Sequence, residues 1–115
     1  MSQTVPLMQS ASVTLDSNGN GQVTLGPSIP GIIWYPVGAS CIVSSDNSTP
    51  VFQVFQDAIG QSNFQGGSQT GNNDTASLSA ITLYPGQTLI GVWTGGDPGA
   101  TASFNLTGTM QIPGN

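Results

Sequence analysis

Residues 11–25, ASVTLDSNGNGQVTL, decide between an all-β and a helical fold. Residues 16–21 match the first half of an EF-hand calcium loop, where positions 1, 3 and 5 supply oxygen ligands and position 6 is Gly. Position 12 of such a loop holds a bidentate Glu, but this chain has Pro27 there, which offers no side-chain oxygen. Both flanks alternate apolar and polar residues with period two, which is the pattern of strands and not of the required helices. The stretch therefore predicts two strands joined by a turn.

The same alternation predicts how the two strands pair. A two-residue turn would place their apolar side chains on different faces, whereas a three-residue turn brings these side chains to one face. We therefore expect a hairpin with Asn18-Gly19-Asn20 at its tip, in which Leu15 faces Val23. Asn and Gly tolerate the left-handed backbone that such a turn needs. Weak calcium binding by the loop is the alternative.

Short apolar alternations recur along the whole chain between breakers, since the 115 residues include 16 Gly and 8 Pro. This pattern is typical of an all-β sandwich or jelly roll. We predict a single antiparallel β-sandwich domain at residues 10–115, jelly-roll-like, preceded by an extended N-terminal arm at residues 1–9. Eight or nine short strands are expected near residues 4–8, 11–16, 22–26, 32–36, 38–45, 51–56, 77–83, 88–93 and 101–111.

The segments between the expected strands contain recognisable turn chemistry. Tyr84-Pro85-Gly86-Gln87 and Asp97-Pro98-Gly99-Ala100 both have Pro followed by Gly at their centre, which predicts type II turns. Residues 57–75 are rich in Gly, Asn, Gln and Ser and are expected to form a long loop.

The chain carries almost no charge, and this excludes several functions. Its net charge of −5 comes from five Asp, and Lys, Arg, His and Glu are absent. Because cations are needed to neutralise phosphate, we expect no binding to nucleic acid or to anionic membranes. The usual general bases, Ser-His-Asp devices and zinc sites rich in His and Cys cannot be built from this chain. We expect a non-enzymatic protein without cofactors or metal ions, and a glycosidase-like pair of Asp is the enzymatic alternative.

Neutral polar residues must keep the protein in solution. Ser, Thr, Asn and Gln supply 44 of the 115 residues. A weakly charged surface resists association poorly, so this composition favours a protein that its neighbours cover, including further copies of itself. The single Cys41 excludes an intrachain disulfide. Because the N-terminal residues lack the features of a signal peptide, we expect synthesis in a cytoplasm without an export signal.

Several apolar residues outside the expected core are candidates for contacts with other chains. The predicted interface residues are Val5, Pro6, Leu7 and Met8 in the arm and Phe64 in the expected long loop. The arm is expected to add a strand to a neighbouring subunit or to lie along it.

The aromatic residues permit a second interpretation. Trp34, Tyr35, Tyr84 or Trp93 would serve as a platform for carbohydrate if exposed, although packing in the core is the commoner use of such residues. Residues 51–56 carry apolar groups on both faces of an expected strand. We therefore expect this strand to be covered on both sides, by the domain itself or by a partner.

Residues 81–109, ITLYPGQTLIGVWTGGDPGATASFNLTGT, contain Leu-x-Pro-Gly-Gln-x-Leu, then Val-Trp-Thr-Gly-Gly-Asp-Pro-Gly-Ala and an alternating strand. This region resembles small β-sandwich minor virion proteins encoded among the structural genes of tailed bacteriophages, especially those that infect actinobacteria. The resemblance implies a non-enzymatic structural role in the virion, in the head or in the tail. We expect a capsid decoration or minor capsid protein that cements the particle surface, with a minor tail protein as the alternative. Implied partners are major capsid or tail proteins and further copies of the chain. The implied location is the virion, reached from the host cytoplasm and released by lysis.

Overall fold

The computed structural model describes residues 2–45, 47–68, 72, 74–78 and 81–113. The strands in these ranges are β1 (Ser2–Thr14), β2 (Gly21–Leu25), β3 (Ile33–Val43), β4 (Val51–Gln56), β5 (Phe64–Ser68), β6 (Asp74–Ser77), β7 (Leu89–Thr94) and β8 (Thr101–Pro113). A single 3-10 turn in the described part of the chain spans Gln61–Asn63. None of the described residues form a helix with the length and apolar character needed to cross a membrane.

The strands form two antiparallel sheets of four strands each. The large sheet has the order β1-β8-β3-β6, and the small sheet has the order β2-β7-β4-β5. The predicted all-β antiparallel sandwich is therefore confirmed. Strand pairs are nested, because β1 pairs with β8, β2 with β7, β3 with β6 and β4 with β5. This nested order is compatible with the predicted jelly-roll arrangement.

The core lies between the two sheets and is centred on three aromatic rings. The centroid of the Phe52 ring lies 4.7 Å from that of Trp93 and 5.6 Å from that of Phe104. All three side chains are fully buried, and Trp34 is also buried. Both Trp residues therefore pack in the core and cannot form a platform for a ligand. Tilted ring pairs at such distances are favourable beyond the area that they bury.

The corner between β1 and β2 differs from the predicted hairpin. Leu15 does not face Val23 within a sheet, because β1 belongs to the large sheet and β2 to the small sheet. Leu15 instead donates its N–H to the carbonyl oxygen of Ala100 at 2.8 Å, and Val23 pairs with Gly91. Both side chains still point into the core, from opposite sheets. Alternation in the sequence reports only that a side chain points inward, and a crossover between sheets satisfies that requirement as well as a hairpin does.

The turn at this corner is shifted by one residue from the predicted tip. Asp16 donates its N–H to the carbonyl oxygen of Asn20 at 2.9 Å, so the three enclosed residues are 17–19. The N–H of Gly19 donates to the carbonyl oxygen of Asp16 at 2.9 Å, and Gly19 adopts the left-handed conformation, with φ +75°. The prediction of Asn or Gly in the left-handed region is thus correct for Gly19.

Several strand boundaries also differ from the prediction. Residues 1–9 were expected to be an extended arm with a strand near residues 4–8, and residues 2–9 form the first part of β1, which pairs with β8 as far as Pro113. β3 is one strand with a register shift between Pro36 and Gly38, where two strands were expected. β5 lies within the expected long loop and β6 begins in its last two residues, and loop residues 69–71 and 73 lie outside the described part of the chain. In the expected strand 77–83, residues 79 and 80 are also outside that part, and Leu83 forms an isolated bridge with Trp34.

Both predicted type II turns are confirmed. Gln87 donates its N–H to the carbonyl oxygen of Tyr84 at 2.9 Å, and Gly86 has φ +93°. In the second turn, Ala100 donates its N–H to the backbone carbonyl oxygen of Asp97 at 3.2 Å, and Gly99 has φ +83°.

The substitution Gly19→Ala tests the packing of the corner. A Cβ at position 19 would lie 1.9 Å from the carbonyl oxygen of Gly96, whereas a Cβ at Gly99 would meet nothing within 4 Å. Both substitutions force a left-handed Ala, which costs about 1–2 kcal/mol. Gly19→Ala must also displace the backbone of Gly96, whose N–H donates to Gly19 at 2.9 Å. We expect urea unfolding to give a clearly lower free energy of unfolding for Gly19→Ala than for Gly99→Ala, and equal losses would contradict this account.

Candidate functional site

β1 leaves one long side of the large sheet without a partner. Among the described residues β1 has β8 as its neighbour on one side and no strand on the other, which we call the open edge. β1 has 13 residues, whereas the other three edge strands, β2, β5 and β6, have 5, 5 and 4. Natural proteins usually keep their edge strands short or protect them with charges, because an unpaired edge is a template for another chain. The open edge is thus the exceptional edge of this fold.

The hydrogen bonds of β1 alternate between β8 and the open edge. Leu15, directly after β1, donates its N–H to Ala100, and the register continues as Thr14 with Thr101. Because hydrogen-bonded pairs alternate along an antiparallel ladder, the odd-numbered residues of β1 bond to β8 and the even-numbered residues point to the open edge. Pro6 agrees with this assignment, since Pro is tolerated in a sheet where its missing N–H would face outward. The outward-pointing backbone groups with both N–H and C=O beyond Pro6 belong to Met8, Ser10, Ser12 and Thr14.

The predicted arm residues divide between the two faces of β1. Leu7 is only 1% exposed and lies in the core, so its side chain is occupied by the protein itself. Val5 is half-buried, whereas Pro6 is exposed and Met8 is 77% exposed. Of these four residues, the structure therefore leaves Pro6 and Met8 accessible to another chain. Whether either of them contacts one stays a prediction.

The surface around Met8 is polar but uncharged. No charged residue lies within β1 or within β8, its partner. Side chains on the outer face of β8, which alternate with the core residues, are hydroxyls and amides. They are Thr101, Ser103, Asn105, Thr107, Thr109 and Gln111. A neighbour that packs on this region would not have to desolvate a charge.

Phe64 lies far from the arm residues in the chain, at the start of β5. It is 46% exposed, and its ring meets that of Phe55 at 5.8 Å in an edge-on arrangement. The two rings line a cleft of about 380 Å³, the Phe64 cleft, together with Gln53, Ile59, Gly60 and Gln61. β4 is therefore covered on both sides, as predicted, since Phe52 faces the core and the buried Phe55 is covered by this segment of the chain itself.

The remaining aromatic candidates are the two Tyr residues. Tyr35 is half-buried and donates its hydroxyl to Oε1 of Gln111 at 3.3 Å. Tyr84 is 55% exposed at the first type II turn. With both Trp residues in the core, Tyr84 and Phe64 are the accessible aromatic rings of the described chain.

The candidate calcium loop uses its oxygen atoms to hold the turn. Oδ1 of Asp16 accepts hydrogen bonds from the N–H groups of Asn18 at 2.9 Å and Asn20 at 3.0 Å. Oδ1 of Asn20 accepts from the N–H of Gly95 at 3.1 Å, which ties the corner to the loop after β7. Within the described ranges, His, Cys, Asp and Glu form no group of three or more that could hold a metal ion.

Asp97 fastens two loops together, a role that the sequence did not reveal. Its carboxylate accepts hydrogen bonds from the hydroxyl of Ser45 at 2.6 Å and from the N–H groups of Asn47 and Ser48, each at 2.8 Å. These hydrogen bonds favour the charged carboxylate and lower the pKa of Asp97 below its ordinary value. The bond from the Ser45 hydroxyl has the largest effect, and the bond from the Ser48 N–H has the next largest. The loop between β3 and β4 is thus pinned to the loop between β7 and β8. Nothing in the local sequence pairs residues this far apart.

No protein-family model matches this chain, and a search of curated proteins found no significant match. The open edge, the Phe64 cleft and the distribution of charge are therefore the features of the molecule that bear on its function.

The pKa of Asp97 predicts a pH dependence of stability. The charged form of Asp97 is favoured in the folded protein. Its contribution to the free energy of unfolding is therefore present above the unfolded pKa, near 3.8, and is lost as the pH falls through the lower folded pKa. We expect Asp97→Asn to lower the urea midpoint at pH 7 and the difference from the unsubstituted protein to shrink at pH 3. A difference that stays constant over this range would show that the carboxylate charge is not responsible.

Proposed function

We propose that this protein is a non-enzymatic structural protein of a bacteriophage virion, a capsid decoration or minor capsid protein that binds and cements the particle surface. The observation that carries the proposal is the open edge of β1, because it offers another chain a ready place to add a strand. The nested strand order adds support, since viral capsid domains are among the proteins that use jelly rolls. The resemblance of residues 81–109 to minor virion proteins points in the same direction.

The mechanism is adhesion by strand addition. In this mode the main-chain hydrogen bonds supply affinity, and the side chains at alternate positions supply specificity. Each hydrogen bond contributes only about 0.5–1.5 kcal/mol net, so the short run from Met8 to Thr14 forms a modest contact. On a particle that presents many copies, modest contacts combine into strong attachment through effective concentration.

The low charge of the surface suits a crowded position on a particle. Three of the five Asp are engaged in turns or loops, where Asp16, Asp57 and Asp97 accept hydrogen bonds from backbone N–H groups. None of the five lies in the long strands β1 and β8. Neighbours can therefore approach β1 and β8 without burying a charge, which would be costly unless it were paired.

The partners in this proposal are major capsid proteins and further copies of the chain, and the place of assembly is the host cytoplasm before lysis. The same open edge would serve equally in a tail, so a minor tail protein is the alternative within this class.

We also propose, as a second candidate, a module that binds host-surface carbohydrate through the Phe64 cleft. An exposed aromatic ring beside amide side chains is the combination that supports it, because ligand sites join apolar walls with a few polar groups that fix orientation. Phe64 supplies the accessible ring, and Gln53 and Gln61 supply uncharged donors and acceptors. Such a cleft suits a neutral sugar better than an ionic ligand.

Assembly through the open edge is tested with the double variant Ser10→Pro/Ser12→Pro. These substitutions remove two outward N–H groups while leaving the bonds to β8, so we expect about a tenfold or larger loss of incorporation into purified particles. Incorporation is measured by quantitative mass spectrometry of particles, with folding checked by circular dichroism. The control Ser10→Ala/Ser12→Ala removes the same hydroxyls and keeps the N–H groups, so it should incorporate normally. Absence of the unsubstituted protein from particles would reject the virion role.

The carbohydrate candidate is tested on a glycan array. Phe64→Ala should abolish any binding, because it removes the ring that forms one wall of the cleft. Tyr84→Ala removes the other accessible ring, which lies outside the cleft, and should leave binding unchanged. No binding by the unsubstituted protein, or equal loss in both variants, would reject the cleft as a sugar site.

A further inference from the structure

We propose that the chain which completes the open edge is β1 of a second copy, related by a two-fold axis. The two large sheets, each of four strands, would then merge into one continuous sheet of eight. This inference rests on the structural role proposed above and assigns the open edge to a further copy of the chain, so that contacts with major capsid proteins would fall to other surfaces of the dimer.

The register of the pairing follows from the direction of the backbone groups. Only even-numbered residues of β1 point outward, so hydrogen-bonded pairs across the axis must join even residues to even residues. An axis at Ala11 pairs Met8 with Thr14 and Ser10 with Ser12, and every outward N–H between these residues finds a carbonyl group. Pro6 then falls beyond the end of the facing strand and disturbs no bond.

The neighbouring registers are worse for identifiable reasons. An axis at Ser10 would place Pro6 opposite Thr14, and the carbonyl oxygen of Thr14 would lack a donor in both copies. An axis at Ser12 would place Met8 opposite Asp16, whose N–H already donates to Asn20. Of these three registers, the axis at Ala11 is therefore the one that pairs every outward backbone group from Met8 to Thr14.

The size of the contact is adequate for a dimer. Each hydrogen-bonded pair exchanges two bonds, so the register at Ala11 forms about eight bonds between the copies. A typical protein interface has about 10 ± 5 direct hydrogen bonds, so eight bonds are within the usual number.

Charge favours a second copy over an unrelated chain with basic residues. β1 has no charged residue, so two copies meet without like-charge repulsion and without an unpaired buried charge, despite the net charge of −5 on each. On the outer face, Met8 of one copy would lie beside Thr14 of the other. This contact covers the most exposed large apolar side chain of the described protein, at 77% exposure. A basic partner would find no carboxylate along β1 to pair with.

Two-fold pairing also ends the growth of the sheet. An isologous contact uses the same surface of both copies, so β1 is consumed on each side. The outer edges of the merged sheet would be the two copies of β6, which have 4 residues each. Short edge strands are poor templates for further addition, so the product is a closed dimer.

Disulfide cross-linking tests the register. In the proposed pairing, the two Ala11 residues face each other as a non-hydrogen-bonded pair with Cα atoms about 4.5 Å apart, which a disulfide can bridge. We expect Ala11→Cys to form a covalent dimer on mild oxidation. The background is low, because Cys41 is the one native Cys and is buried.

Ser10→Cys and Ser12→Cys are the matched controls. Each would face the other position across the axis, and identical positions would lie on a diagonal about 7–8 Å apart, beyond the reach of about 7 Å for a disulfide. Each single variant should therefore cross-link far less than Ala11→Cys, whereas the double variant Ser10→Cys/Ser12→Cys should cross-link readily. Preferential dimerisation of either single variant would overturn the register at Ala11.

A second measurement needs no introduced Cys and therefore tests the pairing even if Ala11→Cys fails to fold. Light scattering should give the mass of a dimer for the unsubstituted protein and of a monomer for Ser10→Pro/Ser12→Pro at the same concentration, with at least a tenfold weaker dissociation constant. If the unsubstituted protein is monomeric and Ala11→Cys does not cross-link, although the protein is present in particles, self-pairing is overturned and the virion role stays intact. A dimer that is absent from particles would support self-pairing and reject the virion role.

Discussion

The pairing of β8 with its two neighbours is the constraint on which the rest of the structure depends. β8 lies between β1 and β3, and its register with each places Phe104 and Leu106 in the core. Because β8 is as long as β1, it draws the N-terminal residues into the large sheet and holds them there. The same pairing leaves the far side of β1 without a strand among the described residues. The core and the candidate assembly surface are thus two consequences of one ladder.

The sequence predicted which side chains point inward better than it predicted which strands are neighbours. Leu15 and Val23 are both in the core, yet they reach it from different sheets, and no local pattern distinguishes these arrangements. β5, with two consecutive Gly, and β6 have little intrinsic preference for strands. They form because β4 and β3 offer them partners, which is a tertiary effect that overrides propensity. Turns were predicted more reliably, because Pro-Gly fixes backbone angles locally.

The candidate sites show the same limit. Met8 and Phe64 could be singled out because apolar residues in unusual sequence surroundings are often accessible, and both are exposed. Leu7 could not be separated from Met8 without knowledge that residues 2–9 form a strand with a buried face. The role of Asp97 depends on Ser45 and Ser48, half the chain away, so only the folded structure reveals it. Exposure of single residues was thus partly predictable, whereas the open edge emerged only from the strand order.

The nested strand order also bears on how the protein is made. β1 is synthesised first but can pair only after β8 has been synthesised, because the pairing of the two strands joins residues as distant as Ser2 and Pro113. Contacts between such distant residues close slowly, because the entropy of a long loop is lost before the contact forms. On the ribosome, β1 would be exposed along both sides until nearly the whole chain had emerged. For a protein whose β1 is suited to pair with its own copy, neighbouring nascent chains on one messenger RNA are its first potential partners, so correct assembly depends on β8 reaching β1 before another chain does.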